Sequence, residues 1–311
     1  MAKATRAAFG ETLIKLVDEG MDIMAVDADL CGSTTTAKFG AAYPDRLFDV
    51  GIAEQNMIGV ASGLALTGRT VFTGSFAVFG TGRCWEQIRN TVCDSGLNVK
   101  ICPTHAGITV GADGATHNGV LDVAFLRAVP GMKIFCPSNF AELRSMLSDA
   151  LYHEEGPVAI RYPRGAEGTF QKDTAAEPAA CVREAERPDA VLLTHGILVN
   201  EALAAARLLE ERGLRTQVWK VNRIDGALKE QLGRISEQAD WCVVLEDVVQ
   251  SGGLGETMAQ VHRGRLDLLN TGDRFLPHGS VPDIYRACGI DAESVADYMT
   301  EKRKAGENGL G

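Results

Sequence analysis

The segment THAGITVGADGATHNG (104–119) puts His105, Asp113 and His117 into one stretch with glycines at 107, 111, 114 and 119. A neutral imidazole donates and accepts a hydrogen bond near pH 7, which suits hydroxyl and carbonyl groups. The glycines permit tight turns and close backbone approach. Long ordered loops tend to carry function, although the same composition would serve a solvated surface loop. The spacing matches no common metal site, so no metal ligands are expected here. A second candidate is DVGIAEQNMIGVASGLAL (49–66), where Glu54 and Gln55 head an apolar helical stretch. A carboxylate there complements the helix N-terminus. If buried, it could instead keep its proton and exchange it near neutrality. The third is Phe76 and Phe79, three residues apart beside Gly74, Gly80 and Gly82 in a chain only 6% aromatic. The plain reading of this pair is core; the functional one is a surface for a planar ring.

These residues need elements to place them. Short β-branched runs at 23–29, 70–76, 98–104, 132–137 and 157–163 alternate with helix-like stretches near 5–19, 54–67, 83–94, 118–128 and 139–153. Such alternation predicts βαβ crossovers and a mainly parallel sheet covered on both faces. Pro137-Ser138-Asn139 reads as an N-cap cluster. The run 165–190 is polar and aperiodic, and reads as a linker. A second series follows, with strands expected at 190–196, 215–221, 241–247 and 266–270 and an amphipathic helix over 200–213 that stops at Gly213. The fold expected is α/β: two doubly wound domains at 1–165 and 190–311, joined by a linker over 166–189. The end of the chain should begin helical and fray into a charged, glycine-rich tail.

In open parallel sheets ligands bind at the carboxyl ends of the strands. Those ends carry Asp29 to Ser33, Phe76 to Phe79, the 104–119 loop, and Arg161-Tyr162-Pro163-Arg164. The second domain offers no comparable set: His195, His262 and His278 read as structural or solvated. Ser251-Gly252-Gly253-Leu254-Gly255 opens a helix that could take an anion but reads more simply as a turn.

Composition narrows the classes. The 311 residues suit two domains. A formal charge of −10 disfavours nucleic acid as a partner. No run of 18 apolar residues spans a membrane. No apolar signal core follows the first residues, so a cytoplasmic location is expected. The eight cysteines include no CxxC pair and read as small core residues. No GxGxxG, phosphate-loop or GxSxG motif is present.

Together, DVGIAEQN, GSFAVFGTGRCWEQIRN, THAGITVGADGATHNG, AIRYPRG and EDVVQSGGLGE resemble the carboxyl-terminal half of transketolase. The chain is especially similar to the small subunit of split transketolases, and more distantly to deoxyxylulose-phosphate synthase. The resemblance implies a pyrimidine-binding domain followed by a transketolase C-terminal domain, the latter for assembly. It implies thiamine diphosphate with Mg²⁺ as cofactors, and transfer of a two-carbon glycolyl unit from a ketose to an aldose. Glu54 would contact N1′ of the aminopyrimidine and favour loss of the thiazolium C2 proton. Phe76 and Phe79 would stack on the pyrimidine, and Asp29 would lie near the cofactor. His105 and His117 would bond the sugar hydroxyls and the reacting oxygen. Asp113 would hold a sugar hydroxyl, Arg161 the sugar phosphate, and Arg6 and Ser33 further phosphate contacts.

Three positions depart from the family pattern. Asn56 stands where relatives often have His, Ala106 where full-length transketolases usually have Asp, and Gly82 where a third aromatic is common. The GDG…N motif that holds Mg²⁺ and diphosphate is absent. The resemblance therefore implies a partner, the N-terminal diphosphate-binding subunit, in an α₂β₂ assembly, with sugar phosphates as substrates. The alternatives are the β subunit of a 2-oxo-acid dehydrogenase, which has the same architecture, and a non-catalytic module that has kept the fold.

Overall fold

A computed structural model describes residues 3–165 and 168–308. The first sheet contains β1 (Ile23–Asp27), β2 (Leu47–Asp49), β3 (Thr70–Phe76), β4 (Val99–Thr104), β5 (Lys133–Phe135) and β6 (Val158–Ile160). The second contains β7 (Ala179–Arg183), β8 (Ala190–His195), β9 (Thr216–Val221), β11 (Trp241–Leu245) and β12 (Arg265–Leu269). The short strand β10 (Arg223–Ile224) follows β9 in the chain but joins the first sheet, antiparallel to β5. The sheet orders are β10-β5-β6-β4-β3-β1-β2 and β12-β11-β8-β9-β7. All other pairings are parallel except β7 with β9. The strands β3, β4, β8 and β11 are buried at every residue, as sheets covered by helices on both faces require.

The expected α/β architecture is present, with three local differences. The stretch read as a linker contains β7, which lays an edge on the second sheet. The helix expected over 83–94 is α-helical at Trp85–Gln87 and continues as a π-helix at Ile88–Cys93. The final helix runs unbroken over Ala292–Asn308, and the glycine-rich end beyond it (309–311) lies outside the described residues. Asn139 caps Phe140–Tyr152 as expected, its side chain accepting from the Glu142 backbone N–H.

The two halves are tied together. One apolar cluster takes in Val26, Ile101 and Ile134 from the first half and Val191, Val221 and Leu254 from the second. Cys136 N–H donates to the Asn222 carbonyl at 2.9 Å. At the heart of this seam Lys220 pairs with Glu142 at 3.0 Å, both buried. None of the described helices is long and apolar enough to cross a membrane.

Candidate active site

Glu54 is the first residue of the helix Glu54–Ala65 and is 4% exposed. It is not the isolated carboxyl that its apolar helix suggests. Arg83 Nη1 donates to Glu54 Oε1 at 2.9 Å. The same guanidinium lies over the Phe79 ring, 4.2 Å from its centroid, and the Arg83 carbonyl accepts from Gln55 Nε2 at 3.1 Å. Arg83 thus couples the head of one helix to an aromatic ring on another. It stands inside a motif the sequence singles out, but only the fold brings it to Glu54.

Phe76 ends β3 and Phe79 lies in the following helix Ala77–Gly82, so their rings fall on one side. They stack 6.0 Å apart, 14° from parallel. His105 stacks on the other neighbour position of Phe76 at 3.8 Å. His117 meets Phe79 edge-on at 5.2 Å. The four rings, two from residues 76–79 and two from the 104–119 loop, form one wall. At Gly82, where an aromatic is common in relatives, the nearest side chain to an added Cβ is Phe125, at 3.4 Å.

His105 adopts φ 58°, a left-handed conformation rare for a non-glycine residue. It is buried, and its Nδ1 has no hydrogen-bond partner. Burial, and then the positive charges of Arg6 and Arg164, push its pKa down to about 3. It is therefore a neutral imidazole throughout the physiological range. An unfolded chain protonates this histidine near pH 6.5, so the folded state resists the proton that the unfolded state takes up. The stability gained by keeping it neutral is fully present above about pH 6.5 and is lost as pH falls toward 3. His105→Gln should flatten the acid limb of a Tm-against-pH curve between pH 6.5 and 4; an unchanged limb would contradict this reading.

Beyond His105 a cleft of about 620 Å³ is lined by Arg6, Thr109, Val110, Arg164 and, from the second domain, Gly279 to Val281. Arg6 Nη1 donates to the Ser33 carbonyl at 3.2 Å, and Arg164 Nη1 to the Val110 carbonyl at 3.0 Å. Neither guanidinium has a carboxylate partner among the described residues. Each still has donors to offer, and burial, followed by repulsion from Arg164, lowers the pKa of Arg6. Two like charges without carboxylate partners flank one cleft, a chemistry that could take an anion. Ser33 does not line the cleft; its backbone carbonyl accepts from Arg6 and orients that guanidinium. Asp113 lies on the exposed 3₁₀ turn Gly111–Thr116 at the cleft's edge. Asp29, at the end of β1, is exposed with φ 59°, and its N–H donates to Asp49 Oδ1 at 2.9 Å. Behind it Asp27 is buried and accepts from Leu30 N–H, Thr34 Oγ1 and Thr36 Oγ1, holding the turn that presents Asp29 and Ser33.

Arg161 corrects an expectation. It does not reach the cleft. It is 3% exposed, and its guanidinium donates to Asp122 Oδ2 at 2.8 Å and Asp247 Oδ1 at 3.2 Å, with Nη1 3.1 Å from His195 Nδ1. Two carboxylates raise its pKa further, so its charge is permanent and already neutralised. It joins the two domains, and the cleft arginine is Arg164, three residues on. The helix opened by 251–255 is also taken: Glu246 Oε1 and Oε2 accept from the Leu254 and Gly255 N–H groups, so the anion at this N-terminus is the protein's own carboxylate.

Comparison with known proteins decides the family. Residues 1–168 match the model described as Transketolase, pyrimidine binding domain, and residues 179–295 that described as Transketolase, C-terminal domain. The chain belongs to the transketolase family. It is 37% identical over 310 residues to a Methanocaldococcus jannaschii protein named as a transketolase C-terminal section, with 97% of each chain covered. It is 38% identical over 303 residues to the 1-deoxy-D-xylulose-5-phosphate synthase of Chlorobium luteolum, covering 94% of this chain and 47% of that one. The chain thus spans about half the length of such synthases. Among solved structures it is similar to one described as a split gene transketolase, inactive β4 tetramer (TM-score 0.83, 34% identity, 97% and 98% of the two chains). It is also similar to the transketolase of Leishmania mexicana (TM-score 0.80, 25% identity, 96% and 45%). The wall of rings and Glu54 therefore belong to a transketolase pyrimidine-binding domain, in a family whose members use thiamine diphosphate.

Proposed function

We propose that this chain is the pyrimidine-holding subunit of a thiamine-diphosphate-dependent transketolase. It would transfer a two-carbon glycolyl unit from a phosphorylated ketose to an aldose, and act only with a partner subunit that holds the diphosphate and Mg²⁺. The observation that carries this reading is the continuous run from Glu54, along the wall of Phe76, Phe79, His105 and His117, to the unpaired guanidiniums of Arg6 and Arg164. An aminopyrimidine fits the first part: it needs a carboxyl partner, stacking rings and hydrogen-bonding groups, and Nδ1 of His105 is a buried atom still without a partner. The diphosphate end is different. The sequence lacks the GDG…N motif, and among the described residues no group of three or more His, Cys, Asp or Glu could hold a metal ion. The structural relative described as an inactive β4 tetramer supports the same division of labour.

Thiamine diphosphate, when bound, supplies a nucleophilic thiazolium carbon and an electron sink for the severed carbon chain. The chain's own residues supply the rest. Glu54 would hold the hydrogen bond at the pyrimidine N1′ that sets which ring nitrogen accepts a proton. Phe76 and Phe79 would fix the plane of that ring and exclude water from its face. His105, neutral, can donate to or accept from a carbonyl or hydroxyl oxygen without bringing a charge. His117 and Asp113 stand where further sugar hydroxyls would pass. Arg6 and Arg164 would anchor the phosphate, since hydrogen bonds from a guanidinium to an anion are charge-assisted.

Arg164→Ala should raise KM for a phosphorylated sugar about 10- to 100-fold, the ~1.5–3 kcal/mol of a hydrogen bond to a charged group. It should leave an unphosphorylated sugar unaffected; equal losses on both would remove the phosphate from this cleft. The similarity to 1-deoxy-D-xylulose-5-phosphate synthases favours a second reading, in which the donor is a 2-oxo acid that loses CO₂. An assay of the reconstituted complex separates these: ketol transfer between sugars supports the first, and decarboxylation without transfer contradicts it. Decarboxylation linked to a lipoyl acceptor would favour the 2-oxo-acid dehydrogenase class.

A further inference from the structure

The motif EDVVQSGGLGE (246–256) lies in the second domain, where the sequence offers no chemical role, yet it is fastened to the 104–119 loop of the first and to the helix Asp122–Arg127 that follows it. Val249 N–H donates to the Val120 carbonyl at 3.0 Å. Gly252 packs against Ala124 so closely that a Cβ there would collide with it. Arg127 Nη1 donates to the carbonyls of Gly252, at 2.5 Å, and of Gly253. Asp247 reaches furthest. It is 3% exposed, it pairs with Arg161, and its carboxylate fills the space in which a side chain at residue 107 would stand. Gly107, at φ 62°, follows His105 by two residues.

The loop has a reason to need this contact. His105 at φ 58° is a strained conformation that persists only where neighbours over-determine it. From its own domain Arg164 ties the loop further along, its N–H to Thr109 Oγ1 at 3.2 Å and its Nη1 to the Val110 carbonyl at 3.0 Å, while residues 105–107 are held by Ala106 N–H to the Tyr162 carbonyl at 3.2 Å and, within the loop, by Gly119 N–H to the Gly107 carbonyl at 2.7 Å. Tyr162 is itself the neighbour of Arg161, whose guanidinium is held by Asp247.

We propose that Asp247 is a positioning residue: through its packing on Gly107 and its bond to Arg161 it holds the backbone of 105–107 in the conformation that keeps His105 on the ring wall. Through Asp247 the C-terminal domain thereby sets the geometry of the candidate site, although Asp247 itself does not line the cleft. The effect on turnover rests on the function proposed above; the effect on the loop does not.

Hydrogen exchange on the purified chain tests the loop directly. In Asp247→Asn the amides of 104–119 should exchange at least tenfold faster, while those of β8 and β11 keep wild-type protection. His195→Gln, which removes another second-domain neighbour of Arg161, should leave 104–119 as in wild type. Equal loosening in both variants, loosening throughout the chain, or none in Asp247→Asn would overturn the proposal. Asp247→Glu keeps the charge that pairs with Arg161 and alters the packing on Gly107, and so keeps the test decisive if Asp247→Asn does not fold. It should loosen 104–119 to a similar extent, and a protected loop would count against the proposal. In the reconstituted complex Asp247→Asn should lower kcat at least tenfold with KM for the phosphorylated sugar within threefold of wild type. A rise in KM at unchanged kcat would contradict the positioning role. A wild-type complex without ketol transfer would refute the proposed function alone and leave the exchange result to decide this one.

Discussion

Glu54→Gln in the reconstituted two-subunit enzyme should lower turnover by about 10²–10⁴-fold, the range that a positioned acid–base group contributes. Glutamine keeps the size and one carbonyl oxygen of the side chain, so Arg83 retains an acceptor near 2.9 Å. What is lost is a group that can share or surrender a proton at the pyrimidine. Arg83 is half exposed, so its charge can be solvated when the partner is neutral. Fold and assembly should therefore survive, measured as an unchanged elution volume and Tm, while steady-state ketol transfer falls. Turnover within a few-fold of wild type would remove Glu54 from the chemistry.

The largest loss of stability is expected at Arg161. Arg161→Ala leaves Asp122 and Asp247 buried together without a cation, and breaking a buried pair from one side costs about 3–5 kcal/mol. The uncompensated carboxylates lie on different domains, so the seam between the halves should weaken first. Urea denaturation of the chain should show the transition midpoint falling accordingly. Arg164→Ala, three residues away, should leave that midpoint in place and change only substrate affinity. A shift below about 1 kcal/mol for Arg161→Ala would show that the network is solvated and that Arg161 is free for another role.

The contrast between these two arginines shows where the sequence stops being legible. Both stand in AIRYPRG just past β6, and residue type alone assigns either to an anion. Burial separates them, and burial depends on Asp247, which is 86 residues away in the chain. The fully buried strands were readable because continuous β-branched runs have few other uses: TVFTGSF and VKICPT fall where the pattern puts them. The strands β2, β7 and β10 were not. They are short, partly exposed or at sheet edges, and their pairing partners rather than their own residues define them. The site divides the same way. Glu54, Phe76, His105 and His117 carry their signal in residue type and motif. Arg83 and Asp247 become visible only when the fold brings them to Glu54 and Gly107.

The most direct test is a crystal structure of this chain assembled with its diphosphate-binding partner and thiamine diphosphate. The account predicts the Glu54 carboxyl within hydrogen-bond reach, about 2.6–3.2 Å, of the aminopyrimidine N1′, with Phe76 or Phe79 against the ring face. A cofactor whose pyrimidine lies elsewhere, with Glu54 still bonded only to Arg83, would contradict it.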